Sequence, residues 1–203
     1  NYPNFFDQID GKTGSGIWLH AVPDDVPLTR GSRGCVVVRN DSILALSDFV
    51  SIGKTPILIY EKLDLVSEQQ MLETRKKFLQ LIESWRAAWS QKRIGDYIQF
   101  YSSEFKSQKM DRKAWQNFKA DLAKQYVNIE VKLSEPVAFR HGDRWIVRFI
   151  QQYTSDQHTD LGEKTLFIRE EGGQLRILSE NWTENHTDQA RQEISQSTWA
   201  VAN

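Results

Sequence analysis

The chain has 203 residues, 39% of them hydrophobic and 11% aromatic, which suits one large or two small globular domains. Lys and Arg number 26 against 27 Asp and Glu, so the net charge is -1 and no long run of one sign occurs. This balance argues against a nucleic-acid partner, and no apolar run reaches the ~18–20 residues of a membrane span.

The first part of the chain consists of short apolar runs separated by glycine and proline. The runs GIWLHAV, CVVV and TPILIYEKL are rich in β-branched residues, which predicts three strands. Asp41 is predicted to cap a short helix over SILALSDF, between the last two runs. The pattern changes near Leu63 to Ser67, so we expect a first domain over residues 1–64 and a second over residues 65–203.

The second part opens with helical periodicity. A single stripe predicts a long buried helix face, and it contains Met71, Phe78, Ile82, Trp85 and Trp89. GDYIQFYSSEF indicates a second, short helix. A third is predicted to begin at an Asp111 cap, and its buried stripe is formed by Trp115, Phe118 and Leu122.

Strands follow these helices. Apolar and polar residues alternate over 127–133, which is the period of a half-buried strand, and 144–154, 163–170 and 174–182 continue the pattern. Gly172 and Gly173 mark a hairpin turn between the last two. Helices on a curved antiparallel sheet make an α+β domain. The Gln- and Ser-rich tail from Thr187 is expected to be loosely held.

Cys35 is the only cysteine, and it stands in GSRGCVVVRND. A nucleophilic thiol needs a base, because its free pKa is ~8.5, and His20 lies fifteen residues earlier at the end of GIWLH. If the two strands lie side by side, these residues meet at one edge. The alternative is that Cys35 is a small buried hydrophobic residue and His20 a hydrogen-bonded core residue.

His20, the later Ser32-Arg33-Gly34-Cys35 and the following VVVRND together resemble a known signature. It belongs to the L,D-transpeptidases of bacterial peptidoglycan, which have a YkuD-like catalytic domain, and the match covers about residues 1–62. The continuation SILALSDFVSIGKTPILIY resembles the helix and closing strand of that domain. The resemblance implies a mostly-β catalytic portion.

The resemblance also implies roles for these residues. Cys35 attacks a peptide carbonyl to form a thioester, His20 is the base, and a main-chain carbonyl near Ala21 orients the imidazole. Ser32, Gly34 and Cys35 would line the site, with backbone N–H groups near Gly34 and Cys35 holding the oxyanion. No cofactor or metal is expected.

The sequence departs from the family pattern at two places. Arg33 stands where the family has a second histidine, and an arginine cannot accept a proton near neutral pH. It either binds a substrate carboxylate through its guanidinium or forms an intramolecular ion pair. Family members also carry further β-structure before this point, so we expect the C-terminal part of a longer exported enzyme, periplasmic or in the cell envelope. This part alone is then expected to be incomplete or inactive.

The run WRAAWSQKRIGDYIQFYSSEF, with the helix and closing strands after it, resembles the nuclear transport factor 2-like (SnoaL-like) fold. That fold is a cone of three helices on a curved antiparallel sheet, often with a pocket at its open end. The aromatic residues that either line such a pocket or fill the core are Trp85, Trp89, Tyr97, Tyr101, Trp115, Tyr153 and Trp182. His141, in RHGDR, and His158, in TSDQHTD, are expected to be solvated turn or loop residues without a telling partner.

The combination of these two parts resembles a bacterial subgroup that trims tetrapeptide stems as L,D-carboxypeptidases and is associated with cell shape. This favours trimming of peptidoglycan stem peptides over cross-linking. One alternative is that the second domain is a non-catalytic binding or dimerisation module, as in a homodimer, and that the catalytic part is an inactive remnant. Another is that the second domain is itself a small-molecule enzyme.

Overall fold

The computed structural model describes residues 2–29, 31–51 and 55–197. The chain divides into two compact units, Asn1–Leu65 and Val66–Asn203. Within the described ranges, no helix combines the length and apolar character that crossing a membrane requires.

The first unit is built on a small parallel sheet. Its elements are α1 (Phe5–Ile9), β1 (Leu19–Val22), β2 (Val36–Arg39) and α2 (Asn40–Ser47). Asn4 begins α1 with a capping box, because its side chain accepts from the backbone of Asp7 while the Asp7 carboxylate accepts from the Asn4 backbone. β1 pairs in parallel with β2, and His20 lies opposite Val37.

Three expectations for the first unit need correction. The run TPILIYEKL forms no strand: residues 55–66 are irregular, and Leu63 and Leu65 are 76% and 95% exposed. A strand requires a neighbour for its N–H and C=O groups, and no described strand lies beside this run. α2 begins at Asn40 with Arg39 at its N-cap, so Asp41 lies in the first turn instead of capping the helix. The expected mostly-β portion is present only as one two-stranded sheet and two short helices.

The long helix α3 (Glu68–Ser90) opens the second unit. Ser67 caps it through a capping box with Gln70. The predicted stripe is buried from Phe78 onward, but Met71 is 58% exposed, because the first two turns of the helix contribute no buried residue. The stripe is therefore correct for the C-terminal two thirds of the helix only.

A short helix α4 (Ile94–Tyr97) continues into a 3₁₀ turn, Ile98–Phe100. Two short strands, β3 (Lys106–Ser107) and β4 (Met110–Asp111), then lead into α5 (Arg112–Gln125). The Asp111 carboxylate accepts from the Ala114 backbone at 2.8 Å, which confirms the predicted cap. On α5, Trp115 is buried, whereas Phe118 is 41% exposed and lies at the margin of the predicted stripe.

Five antiparallel strands form the main sheet, in the order β5-β7-β8-β9 with β6 paired to β7. Their bounds are β5 (Ile129–Leu133), β6 (Val137–His141), β7 (Arg144–Ser155), β8 (Thr159–Glu171) and β9 (Gln174–Glu184). Gly172 and Gly173 have φ values of 57° and 78°, as the predicted β8–β9 hairpin requires. β6 was not predicted, because its sequence VAFRH carries no clear alternation.

The two faces of this sheet pack differently. One face and the helices α3 to α5 enclose an aromatic core that includes Trp85, Tyr97 and Tyr101. A second, separate apolar cluster forms where Ala190 and Ile194 of α6 (Asp188–Ser195) pack against Ile150 and Leu161 of the sheet. The expectation of a loose tail from Thr187 is therefore wrong for residues 188–195, because Ala190 and Ile194, one helical turn apart, anchor this helix on the sheet. The end of the tail, residues 198–203, lies outside the described residues.

Candidate functional site

The parallel pairing of β1 with β2 brings His20 close to Cys35 along one edge. His20 lies opposite Val37, and Cys35 precedes Val37 by two residues. The backbone N–H of Val36 donates to the Trp18 carbonyl at 2.8 Å, which extends the pairing back to the cysteine. His20 and Cys35 are therefore diagonal neighbours across the pair, and the side-by-side arrangement that the sequence suggested is present.

The imidazole of His20 is oriented by the main chain. Its Nδ1 lies 3.3 Å from the Ala21 carbonyl oxygen, at the position where a main-chain carbonyl was expected. Because a carbonyl oxygen only accepts, Nδ1 carries the proton in this contact. The second ring nitrogen, Nε2, is then left with the lone pair that a general base needs.

The turn before Cys35 is held by glycine and serine. Gly34 has φ of 103°, and a Cβ at that position would lie 2.5 Å from Ile17 Cδ1, so a larger residue would displace Ile17. Ser32 Oγ donates to the Cys35 carbonyl at 2.7 Å. The half-buried Cys35 thiol donates to the Gly16 carbonyl at 3.7 Å.

Arg33 is exposed on the same turn. No carboxylate among residues 2–29, 31–51 and 55–197 forms an ion pair with it, so the intramolecular ion pair that the sequence allowed is not formed there. An exposed, unpaired guanidinium next to a thiol is suited to a carboxylate from outside the chain.

A buried polar cluster lies inside the aromatic core of the second unit. Glu180, 3% exposed, accepts from Lys164 at 2.5 Å and from Tyr101 at 2.8 Å. Tyr101 Oη also accepts from Trp85 Nε1 at 2.9 Å and contacts Tyr97 Oη at 2.5 Å. Burial acts to raise the pKa of Glu180, but the charges of Lys164 and Lys119 and these hydrogen bonds outweigh it, so the pKa is lowered.

Lys119 places a second ammonium group in this core. Its Nζ lies 4.4 Å from the ring centroid of Trp89 and 4.8 Å from that of Trp115, within cation–π range. Burial lowers the pKa of Lys119 to about 8, against the opposing charge of Glu180 and with a further lowering by Lys164. Lys119 and Lys164 therefore both act on the Glu180 carboxylate, and the charge of Asp160 also acts on Lys119.

The predicted pocket residues of the second unit mainly fill its core. Trp85, Trp89, Tyr101, Trp115 and Tyr153 are each at most 8% exposed and contact one another ring to ring. Trp182 is half-buried: it covers Gly162, where a Cβ would lie 2.7 Å from its ring, and it stacks 5.5 Å from Lys164 Nζ.

The sequence interpretation missed Lys119, Lys164 and Glu180. A signal for one of them exists, because Lys164 falls in phase with Leu166 and Ile168 along β8, both fully buried. A charged residue on the same strand face as buried apolar residues is expected to point into the core, where its charge requires a partner of opposite sign. The partner, Glu180, lies on the next strand and could be identified only from the strand register.

Two histidines of the second unit lie at strand ends. His158 Nε2 is 3.2 Å from Asp160 Oδ2, so the expectation that it has no telling partner is wrong. His141 ends β6 at the turn that was predicted. Across the described residues, no group of three or more His, Cys, Asp or Glu side chains could hold a metal ion.

An open cleft of about 440 Å³ lies along α3 and α4. Its charged residues already pair with each other, Arg86 with Glu83 and Arg93 with Asp96. We assign no chemistry to it.

Comparison with known proteins follows the same division of the chain. The family model of the L,D-transpeptidase catalytic domain (YkuD) matches residues 2–59, and that of the Cds6 C-terminal NTF2-like domain matches residues 77–181. A search of curated proteins gave no match. The chain belongs to the Cds6 C-terminal NTF2-like domain family, whose model covers just over half of it, and this domain follows a segment that matches part of the L,D-transpeptidase catalytic domain.

Solved structures resemble the chain over most of its length. Bd1075 from Bdellovibrio bacteriovorus is 45% identical, with a TM-score of 0.81, over 91% of this chain and 69% of that one. Pgp2 from Campylobacter jejuni, a helical cell shape determining protein, is 24% identical with a TM-score of 0.67, over 89% of this chain and 65% of that one. An NTF2-like protein of unknown function from Pseudomonas putida KT2440 is 16% identical with a TM-score of 0.50, over 58% of this chain. The chain spans just under two thirds of Pgp2.

Proposed function

We propose that the protein acts on peptidoglycan stem peptides through a thioester on Cys35, and that it trims tetrapeptides as an L,D-carboxypeptidase instead of cross-linking them. The observation that supports this proposal is the parallel β1–β2 pair, in which the partner of His20 is Val37, two residues after Cys35, while His20 Nδ1 contacts the Ala21 carbonyl. The match of residues 2–59 to the L,D-transpeptidase catalytic domain supports the same chemistry. Its substrate lies in the cell envelope, which is the compartment we propose for the protein.

The proposed reaction has two stages, formation of a thioester on Cys35 and its hydrolysis. The thiol leaves the Gly16 carbonyl and transfers its proton to His20 Nε2, while Sγ bonds to the carbonyl carbon of the terminal peptide bond. Backbone N–H groups near Gly34 and Cys35 stabilise the oxyanion. The C–N bond breaks and the leaving amine takes the proton from His20. Water then cleaves the thioester, and its proton returns through His20 to the thiol.

Arg33 is proposed to select the substrate. Its exposed guanidinium can form a bidentate pair with a stem-peptide carboxylate, which a lysine would hold less specifically. The similarity to Pgp2, a helical cell shape determining protein, supports a role in cell shape.

The test combines thiol reactivity with product analysis. We expect Cys35 alkylation to report an apparent thiol pKa below ~8.5 that rises in the His20→Ala variant. With tetrapeptide muropeptides, mass spectrometry of the intact protein is expected to detect the acyl-enzyme and a tripeptide product, and Cys35→Ala is the control. Cross-linked dimers without tripeptide would contradict trimming. An unreactive thiol in both proteins would favour the inactive-remnant alternative.

A second candidate function belongs to the NTF2-like unit. The observation that favours it is Lys119, whose partly exposed ammonium lies over the rings of Trp89 and Trp115, a combination suited to contact with an anionic glycan or peptide of the cell wall. Titration of the Cys35→Ala protein with soluble muropeptides tests binding without turnover. Binding that the Lys119→Gln change weakens would support a binding module, and unchanged affinity would contradict this site.

A further inference from the structure

Arg39 connects the end of β2 to the turn that follows β1. Its Nη1 donates to the Pro23 carbonyl at 2.9 Å and to the Val26 carbonyl at 2.7 Å. The Pro23 carbonyl also accepts from the Val26 backbone at 3.1 Å, so one guanidinium nitrogen joins both ends of a tight turn. Arg39 itself is half-buried, and its charged guanidinium makes both bonds charge-assisted.

The turn lies next to the carbonyl that orients the imidazole. Arg39 is opposite Val22, the last residue of β1, and the chain leaves the sheet at Pro23. The Ala21 carbonyl, which accepts from His20 Nδ1, precedes Pro23 by only two residues. A change in the direction of the chain at Pro23 therefore rotates the peptide planes that set this carbonyl.

Other restraints on this strand end are few. The β1–β2 sheet has two strands of four residues, and the connection from Pro23 towards Gly34 forms no helix or strand in its described part. Such short pairs are marginal alone and fray at their ends. The two bonds from Arg39 act at the end that carries His20 and Ala21.

We propose that Arg39 is a positioning residue for His20, which acts through the Pro23–Val26 turn and the Ala21 carbonyl and thereby governs proton transfer between His20 and Cys35. The inference rests on the proposed role of His20 as base. Arg39 itself contacts neither the thiol nor the imidazole in the bonds described above.

The test uses the alkylation rate of Cys35 against pH in the full chain. Arg39→Met keeps the length of the side chain but removes both donors, and we expect about a tenfold slower reaction at neutral pH with an apparent thiol pKa closer to ~8.5. Arg39→Lys retains an ammonium that can reach the carbonyls, so it is expected to recover part of the rate. Lys12→Met, which removes an exposed charge from the same unit, is the matched control and is expected to react as the parent does.

A double variant separates positioning from charge. If Arg39 acts through His20, adding Arg39→Met to His20→Ala slows the reaction no further. An equal slowing in both backgrounds would overturn the inference, because it would mean a direct effect on the thiol. If Arg39→Met does not fold, the ring titration of His20 by NMR in Arg39→Lys and Arg39→Gln replaces it, and an unchanged titration in both would also overturn the inference.

Failure of the proposed function is distinguishable from failure of this inference. An unchanged rate in His20→Ala would remove His20 as the base. A slower rate in His20→Ala with a normal rate in Arg39→Met would remove Arg39 alone.

Discussion

Glu180 and Lys164 stabilise each other in a place where neither charge is tolerated alone. The carboxylate is 3% exposed and lies 2.5 Å from the ammonium, and it also accepts from Tyr101. We expect Glu180→Gln to lower the free energy of unfolding by about 3–5 kcal/mol, because Lys164 is left buried without a counter-charge. Urea denaturation is the measurement. The Lys164→Met, Glu180→Gln double variant is expected to recover part of the loss, and a double variant as unstable as the single one would contradict the pairing.

Lys119 makes the free energy of unfolding rise with pH, whereas a lysine whose pKa is raised by a partner makes it fall. Its pKa is about 8 in the folded state against 10.5 in the unfolded chain, so between these values the unfolded state binds more protons. The cost of burying the charge is fully present below pH 8 and declines as pH rises. We expect Lys119→Met to be more stable than the parent at pH 7, with a smaller advantage at pH 9.5.

Chemical denaturation at the two pH values measures this difference. Lys113→Met, an exposed change on the same helix, is the control and is expected to show no such trend. The raised pKa values of Tyr97 and Tyr101 affect parent and variants equally and cancel in the comparison. A Lys119→Met advantage that stays constant with pH would show that the ammonium is not the source of the effect.

At the residue scale, sequence reasoning can select candidate residues that lie close together in the chain. Cys35, His20 and the Gly34 turn could be selected from a motif, because one short connection separates the two strands that carry them. Glu180 and Lys119 could not, since the carboxylate meets Lys164 across a strand pair and Lys119 reaches the cluster from α5. The catalytic roles themselves remain predictions.

At the scale of the elements, α6 is attached to the sheet through few side chains. Two buried side chains, Ala190 and Ile194, hold it, and Thr187 caps it through the Ala190 backbone at 3.3 Å. Ile194→Ala is expected to cost about 2 kcal/mol, at the low end for a buried isoleucine because the helix lies near the surface. Hydrogen exchange checks this: amides of 188–195 are expected to lose protection while β7 and β8 keep theirs. Gln192→Ala, on the exposed side, is the control, and equal loss across the sheet would contradict a local effect.

The long strands and the segment 55–66 illustrate what local patterns can predict. β7, β8 and β9 alternate over eleven to thirteen residues and are punctuated by turns, so their existence followed from the sequence. TPILIYEKL has the same β-branched content, yet it forms no strand. Strand formation depends on a neighbour elsewhere in the chain, and that information is absent from a run of nine residues.

At the scale of the whole molecule, the two units differ in how they are held together. The second has a five-stranded sheet and a continuous aromatic core, whereas the described residues of the first form a two-stranded sheet with four residues in each strand. The exposed, irregular residues 55–66 lie at the division between them, which falls after Leu65.

Limited proteolysis is expected to separate the units at this segment. Lys62 is exposed and outside any helix or strand, so trypsin is expected to cut there early and release a folded fragment that contains residues 66–197. Mass spectrometry identifies the cut, and circular dichroism of the purified fragment tests its fold. Lys62→Gln is expected to delay the cut, and a first cut within β7 to β9 would contradict the assignment.

The parallel direction of β1 and β2 has a consequence for how such a protein can diversify. In an antiparallel hairpin, a change in loop length tends to shift the strand register and so to separate the paired residues. Here the register of His20 with Val37 is set within the sheet, and the returning connection beyond Val26 is not part of it. Each doubling of the length of a flexible connection costs only about 0.6 kcal/mol of folding free energy. This connection is thus open to insertion and selection, while His20 keeps its register with the strand that follows Cys35.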